Sequence, residues 1–176
     1  MKKKIVVAVM SFITLVAIGC QRQEQKQQSV NYAPAPPPAQ LQIDRLEQSA
    51  KTAPKNPQAW IELGNALMDA RRLGEAIEAY EKGLALDPKN VPARVDLGTC
   101  YRGSGKFDKA VEEYRKGLKI DPNFPNAHRN LAVVLAFDLH DKAQGVKEFK
   151  RYLELAPNAP DAESVRQAVQ ELSSGK

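Results

Sequence analysis

Aromatic residues are scarce in this chain: they make up 6% of 176 residues, and Trp60 is the single tryptophan. So thin a supply argues against a large buried sheet of Val, Ile, Phe and Tyr, and strands are not expected. Histidine is rarer still. His128 and His140 are the only two, and neither has a cysteine or carboxylate cluster at metal-ligand spacing. Cys20 and Cys100 are the only cysteines, so at most one intramolecular disulfide can form. A strong excess of one charge is missing as well. The formal net charge is +5, but Lys2, Lys3 and Lys4 lie in a segment read below as removed, which leaves 23 basic residues against 21 acidic ones. A net charge of +2 on the remaining chain gives no basic footprint, and nucleic acid is not an expected partner. What is present is 43% hydrophobic and 27% charged residues, ordinary for one globular domain of this length.

The first twenty residues, MKKKIVVAVMSFITLVAIGC, have the pattern of an export signal. Three lysines precede an apolar stretch from Ile5 to Ile18, interrupted only by Ser11 and Thr14. A stable transmembrane helix needs roughly 18–20 apolar residues, and this stretch is shorter. It ends Ala17-Ile18-Gly19-Cys20, small residues before a cysteine, and resembles the lipobox of bacterial lipoproteins. The resemblance implies a signal peptide over 1–19 and a diacylglyceryl group, with further fatty acid such as palmitate, on Cys20. Ala17 departs from the leucine that the family favours there. An ordinary secretory signal with a chance cysteine is the alternative. Lipidation of Cys20 would leave Cys100 without an intramolecular partner, whereas a Cys20–Cys100 disulfide would need Cys20 free. Because an exposed thiol in an oxidising compartment finds partners, Cys100 is expected to be buried.

From Gln21 to Gln40 the composition changes to QRQEQKQQSVNYAPAPPPAQ. Such a segment buries too little apolar surface to offset the entropy of ordering. With Cys20 it is read as a tether over 20–40, with a root-mean-square reach of roughly 25 Å and a stiffer polyproline-like part at Ala33–Pro38.

Beyond Leu41 the chain repeats itself. Residues 57–90 align with 91–124 at an offset of 34: Leu63-Gly64 falls on Leu97-Gly98, Ala76 on Ala110, Tyr80 on Tyr114, Gly83-Leu84 on Gly117-Leu118 and Asp87-Pro88 on Asp121-Pro122. A looser third copy starts at Pro125, with one residue inserted around Phe137–Asp141. Period and pattern resemble the tetratricopeptide repeat, in which each unit is a pair of helices, A and B. Trp60, Leu63, Leu67 and Met68 give helix A an apolar stripe, and Ala76, Ile77, Tyr80 and Leu84 do the same for helix B. Gly64 and Ala76 are small because the pair must cross closely, and Pro88 and Pro122 stop helix B. Trp60 is expected to be substantially buried against the N-terminal half repeat. The resemblance implies an all-α, right-handed solenoid over 41–173. It divides into a half repeat 41–56, repeats 57–90, 91–124 and 125–158, and a capping helix 160–172, eight helices in all.

Chemistry is hard to find. Arg102-Gly103-Ser104-Gly105-Lys106 lacks the earlier glycine and the following Ser or Thr of a phosphate-binding loop, and it falls on an A–B turn. His128 takes the repeat position of Trp60, a structural place. No nucleophile–base–orienter set is visible, so neither an enzyme nor a cofactor is expected. The family resemblance instead implies a concave groove lined by helix A side chains. Here these are Ile61, Asn65, Met68, Val95, Thr99, Arg102, Arg129, Asn130 and Val133, flanked by Glu62 and Asp96. Its apolar members, Ile61, Val95, Met68 and Val133, are expected to be exposed for a partner to cover. The clamp of Lys and Asn with which some members hold a terminal carboxylate is mostly missing, and Asp96 would repel one. The expected function is that of a lipid-anchored periplasmic adaptor, at the outer membrane by default, binding another envelope protein through the groove. Assembly of an envelope machine (pilotin-like, or in c-type cytochrome maturation) and a self-associating structural lipoprotein are the alternatives.

Overall fold

The computed structural model describes residues 38–174. The proposed signal peptide, Cys20 and the Gln/Pro-rich segment as far as residue 37 lie outside the described residues. Eight α-helices follow one another: α1 (Pro38–Thr52), α2 (Pro57–Asp69), α3 (Leu73–Leu86), α4 (Val91–Gly103), α5 (Phe107–Ile120), α6 (Pro125–Val133), α7 (Lys142–Leu155) and α8 (Ala162–Ser174). No strand occurs among the described residues.

Helix starts are marked by residues that suit the first turn. Pro57, Pro92 and Pro125 occupy it, where a missing N–H leaves no helical bond unmade. The side chains of Asn56 and Asn90 accept hydrogen bonds from the backbone N–H of Gln58 at 3.1 Å and Ala93 at 3.0 Å, capping α2 and α4. Pro38 similarly opens α1, which therefore begins inside the stretch assigned to the tether. At the other end α8 starts two residues after the expected 160 and runs on to Ser174.

Each helix packs on the next, so the molecule is a stack of antiparallel hairpins: α2 with α3, α4 with α5, and α6 with α7. The crossing within each hairpin is set by size. A Cβ added at Gly64 would stand 2.9 Å from the ring of Tyr80, and one at Gly98 only 2.5 Å from the ring of Tyr114. In the third hairpin the small residues exchange helices. Ala132 replaces the α-helical glycine, and Gly145 replaces Ala76 and Ala110, where a Cβ would lie 2.6 Å from the Cβ of Ala136.

The inserted residue is absorbed locally. After Val133 the helix widens into a π-helical turn, Val134–Asp138, in which the Leu139 N–H donates to the Val134 carbonyl at 2.9 Å. The widening preserves the packing upstream and moves the chain one residue out of step before α7. It leaves Phe137 half exposed, at 50%.

Between hairpins a recurring contact satisfies a carbonyl. Trp60, Arg94 and His128 occupy the same repeat position. The Trp60 indole N–H donates to the Pro54 carbonyl at 3.0 Å, Arg94 to that of Pro88 at 2.8 Å, and His128 Nε2 meets that of Pro122 at 3.0 Å. Trp60 is accordingly half-buried rather than substantially buried. One end of the indole must reach the interhelical loop, and its outer face carries the Lys82 ammonium 4.6 Å from the ring centroid. The ends of the stack are closed by α1, which buries Ile43 and Ala50, and by α8, which buries Ala162 and Val165.

Gly98→Ala is expected to destabilise the domain by about 1–3 kcal/mol, because the new methyl meets a fully buried Tyr114 ring that cannot move aside. Gly74→Ala, where a Cβ meets nothing within 4 Å, is the control and should gain about 0.5–1 kcal/mol. Urea denaturation followed by circular dichroism measures both.

Candidate functional site

The inner side of the stack is lined by the first helix of each hairpin. α2 packs against α4 and α4 against α6, so these three helices lie closer together than their partners α3, α5 and α7. Four columns of side chains run along them at 34-residue intervals: Ile61, Val95 and Arg129; Glu62, Asp96 and Asn130; Asn65, Thr99 and Val133; Met68, Arg102 and Ala136.

Two of the expected contact residues are core instead. Ile61 is 7% exposed and Val95 is 4% exposed, so neither is available to a ligand. Their column points into the seam between the paired helices, where Ile61 fills the space over Gly83 and Val95 lies near Gly117. Met68 and Val133 are half-buried and pack against the core, so the exposed apolar patch expected here is mostly absent. The third member of the column, Arg129, cannot be buried in the same way. It reaches the surface and pairs with Asp161, which also accepts the Tyr152 hydroxyl. That hydroxyl and the Arg129 guanidinium hold the Asp161 carboxyl below the usual range.

Asn65 and Thr99 have a structural partner each. The Tyr80 hydroxyl donates to Asn65 Oδ1 at 2.6 Å, and Thr99 Oγ1 lies 3.2 Å from the Tyr114 hydroxyl. In the third hairpin Phe149 takes the tyrosine place, has no hydroxyl, and belongs to the cluster against which Val133 packs. Both ends of the pair have changed together. Asn130 Nδ2 donates to Thr99 at 3.4 Å, and Arg102 is paired with Asp138 of the π-helical turn.

These residues enclose real space. A depression of about 290 Å³ is lined by Thr99, Arg102, Tyr114, Arg129, Asn130 and Val133. A second, of about 530 Å³, shares Arg129 and Asn130 and continues to Asn126, Tyr152 and Pro160. Together they form a trough of mixed lining, largely apolar, whose polar groups are carried on packed helices.

Toward α2 the electrostatics change. Asp96 is half-buried, and burial together with the nearby Asp69 charge pushes its carboxyl up. Beneath it the fully buried Cys100 thiol is pushed up to about 12, first by burial and then by Asp96, so it is inert at neutral pH. His128 is buried with Nδ1 2.6 Å from Glu148, a structural place. The glycine-rich segment is a turn in which Gly105 has φ of 73°, a left-handed conformation that glycine takes without strain. Among the described residues no group of three or more His, Cys, Asp or Glu is placed to hold a metal ion.

Residues 67–134 match the family model described as tetratricopeptide repeat. No curated protein sequence matches the chain. Among solved structures, one of MamA is 17% identical with a TM-score of 0.65, covering 74% of this chain and 81% of that one. A second structure of MamA is 28% identical with a TM-score of 0.61, covering 71% and 67%. The first tetratricopeptide domain of Spaghetti (RPAP3), bound to the HSP90 peptide SRMEEVD, is 25% identical with a TM-score of 0.62, covering 67% and 94%. The fold is that of a tetratricopeptide-repeat solenoid, all α-helical.

Burial separates the inner-face residues into two classes that mutation should resolve. Ile61→Ala should cost about 2–4 kcal/mol through the cavity it leaves over Gly83. Asn65→Ala, which removes one partly exposed hydrogen bond, should cost about 1 kcal/mol or less. Equal losses in chemical denaturation would contradict this division.

Proposed function

We propose that this solenoid is an adaptor that binds an extended segment of another envelope protein in its inner trough. Solenoids of this fold serve generally as protein-interaction scaffolds, and the observation that carries the proposal here is the pair of adjoining depressions that share Arg129 and Asn130, with Thr99 and Arg102 in the first. An extended peptide has unpaired backbone N–H and C=O groups and needs donors and acceptors that do not move. Amides, a hydroxyl and two guanidinium groups on α4 and α6 supply them, with Arg102 and Arg129 held in place by Asp138 and Asp161. The peptide complex of RPAP3 supports the same mode of use. Ile61 and Val95, being core, belong to the frame rather than to the contact surface.

Anchoring is the second part of the proposal. No helix among the described residues is long and apolar enough to cross a membrane. Attachment is assigned to acyl chains on Cys20, each buried methylene contributing about 0.8 kcal/mol. The segment up to residue 37 would then act as the tether, and the outer membrane's periplasmic face is the proposed location.

Two experiments test these points. A photo-cross-linking residue at Thr99 or Asn130 in the native host should capture a specific envelope protein, whereas one at the exposed Glu112 of α5 should not. Capture of the same protein from both faces would exclude the trough as the binding surface. Separately, Cys20→Ser should leave the precursor uncut and move the chain out of the globomycin-sensitive lipoprotein pathway. Processing unchanged in the variant would mean ordinary secretion.

A further inference from the structure

Because the helices alternate in direction, the turn inside each hairpin lies at one edge of the stack and the loop between hairpins at the other. Contacts run along the first of these edges from end to end. Arg72, at the turn of the first hairpin, donates to Gln40 Oε1 of α1 at 3.3 Å. A methyl added to Gly103 would meet the Leu73 side chain at 2.7 Å, so the first two turns touch. Arg102 pairs with Asp138, and Leu139 closes a depression of about 470 Å³ with Lys106, Phe107 and Lys109. The start of α1 thus stands at the same edge as the three hairpin turns. The chain leading back to Cys20 enters the solenoid there, with residues 21–37 between Cys20 and Pro38. A chain of that length spans at most roughly 60 Å.

This edge also carries exposed apolar side chains. Phe137 and Leu139 on the π-helical turn and its end are 50% and 38% exposed, and Leu41 in the first turn of α1 is 42% exposed. The other large apolar residues exposed among those described, Leu86 and Ile120, end separate helices at the opposite edge. Phe137 is backed by core, its ring centroid 6.3 Å from that of Phe149. Lys106 and Lys109 border Leu139, and Lys142 follows it at the start of α7; all three are exposed, and none forms an ion pair among the described residues. Asp108 and Asp141 are set among them, and Asp141 faces the start of α7, where it accepts the Gln144 backbone N–H at 3.1 Å. An apolar turn rimmed by lysines suits the boundary of a bilayer. The apolar groups enter the acyl margin, while lysine stems lie on it and their ammonium groups meet phosphates. The anchor decides between a bilayer and a protein as the cover, because it keeps this edge within reach of one particular surface.

We propose that the hairpin-turn edge docks on the phospholipid surface that holds the Cys20 anchor, with Phe137 and Leu139 at the acyl margin and Lys106, Lys109 and Lys142 on lipid phosphates. This proposal rests on the anchoring reading above. Because the anchor makes docking intramolecular, a small apolar surface suffices. The larger depression of the trough, with Asn126 and Pro160 in its lining, lies toward the opposite edge, so docking leaves it open to a partner.

The test uses the whole acylated protein, purified from its host and reconstituted in vesicles of phosphatidylethanolamine and phosphatidylglycerol. A single NBD fluorophore is placed on Ser104→Cys, at the turn of the second hairpin, or on Asn158→Cys, in the loop before α8 at the opposite edge. The fully buried Cys100 does not compete for the label. Lipids with a doxyl quencher near the headgroup should quench the fluorophore at 104 at least about twofold more than the one at 158, since interfacial groups enter a bilayer by roughly 5–10 Å. Phe137→Ser with Leu139→Ser should bring the two values together. Lys106→Gln with Lys109→Gln should remove about half of the excess or more, because each lysine near the surface adds attraction to anionic lipid. The melting temperature of this lysine pair should stay that of the wild type, which separates lost docking from lost folding. Equal quenching at both positions in vesicle-bound protein would overturn the docking and leave the anchoring intact. A blue shift at 104 that grows with protein density, without quenching, would assign the edge to a second copy and overturn the bilayer assignment. Protein recovered from its host without acyl chains on Cys20 would overturn both.

Discussion

A close approach between a residue with no side chain and a tyrosine ring governs the architecture of the first two hairpins. Where Gly64 meets Tyr80 and Gly98 meets Tyr114, there is no room for even one methyl group. A small residue on the first helix lets the second come close enough to bury the whole ring. The ring then fills the crossing and fixes its angle, as interiors near crystalline packing density require. The first two hairpins repeat this contact 34 residues apart and the third keeps the close crossing with Gly145 against Ala136, so each hairpin can stack on the next. The tyrosine also reaches through to the inner side, where its hydroxyl positions Asn65 or lies beside Thr99. Core packing and the trough are thus joined through single side chains.

Stacking itself leaves an electrostatic problem at every junction, because a proline ends each B helix and a neighbouring carbonyl needs a donor. Three chemically different residues, Trp60, Arg94 and His128, meet that need from one repeat position. The common requirement is a donor nitrogen at the right reach, which is why the position tolerates aromatic and cationic side chains alike. The third hairpin departs furthest from the pattern. Its extra residue widens one helical turn, its tyrosine becomes Phe149, and Val133 replaces the polar partner that the lost hydroxyl would have needed.

Functionally, the consequence is a rigid inner face with a polarity along it. At the α6 end the arginines are locked by acids from the rim, which orients them without leaving free charge. At the α2 end carboxylates stand without cations, half-desolvated at Asp96. On the proposed function, such a trough would offer fixed donors and acceptors to the backbone of an extended segment, from a frame whose cost of ordering is already met by folding.

Much of this was legible in the sequence. The 34-residue offset, the paired small residues and the stop prolines determined the helical class, the number of helices and the close crossings, because each follows from covalent geometry or side-chain volume acting over a few residues. A burial requirement for Cys100 was legible too, and its side chain is fully enclosed. The inner face was legible only in part. Periodicity places Ile61, Val95 and Arg129 in one column, but it does not say whether that column points outward or into the seam. Only the packed hairpin decides this, since Gly83 on the opposite helix opens the space that Ile61 fills. The same holds for Trp60, whose half-burial is decided by a carbonyl six residues before it. Likewise the pairing of Arg102 with Asp138 and of Arg129 with Asp161 joins residues more than thirty positions apart. Local pattern determines which helices form and which stripe is apolar. The rotation of each helix about its axis, and so the identity of the side chains left facing the trough, is settled by contacts with neighbours distant in sequence.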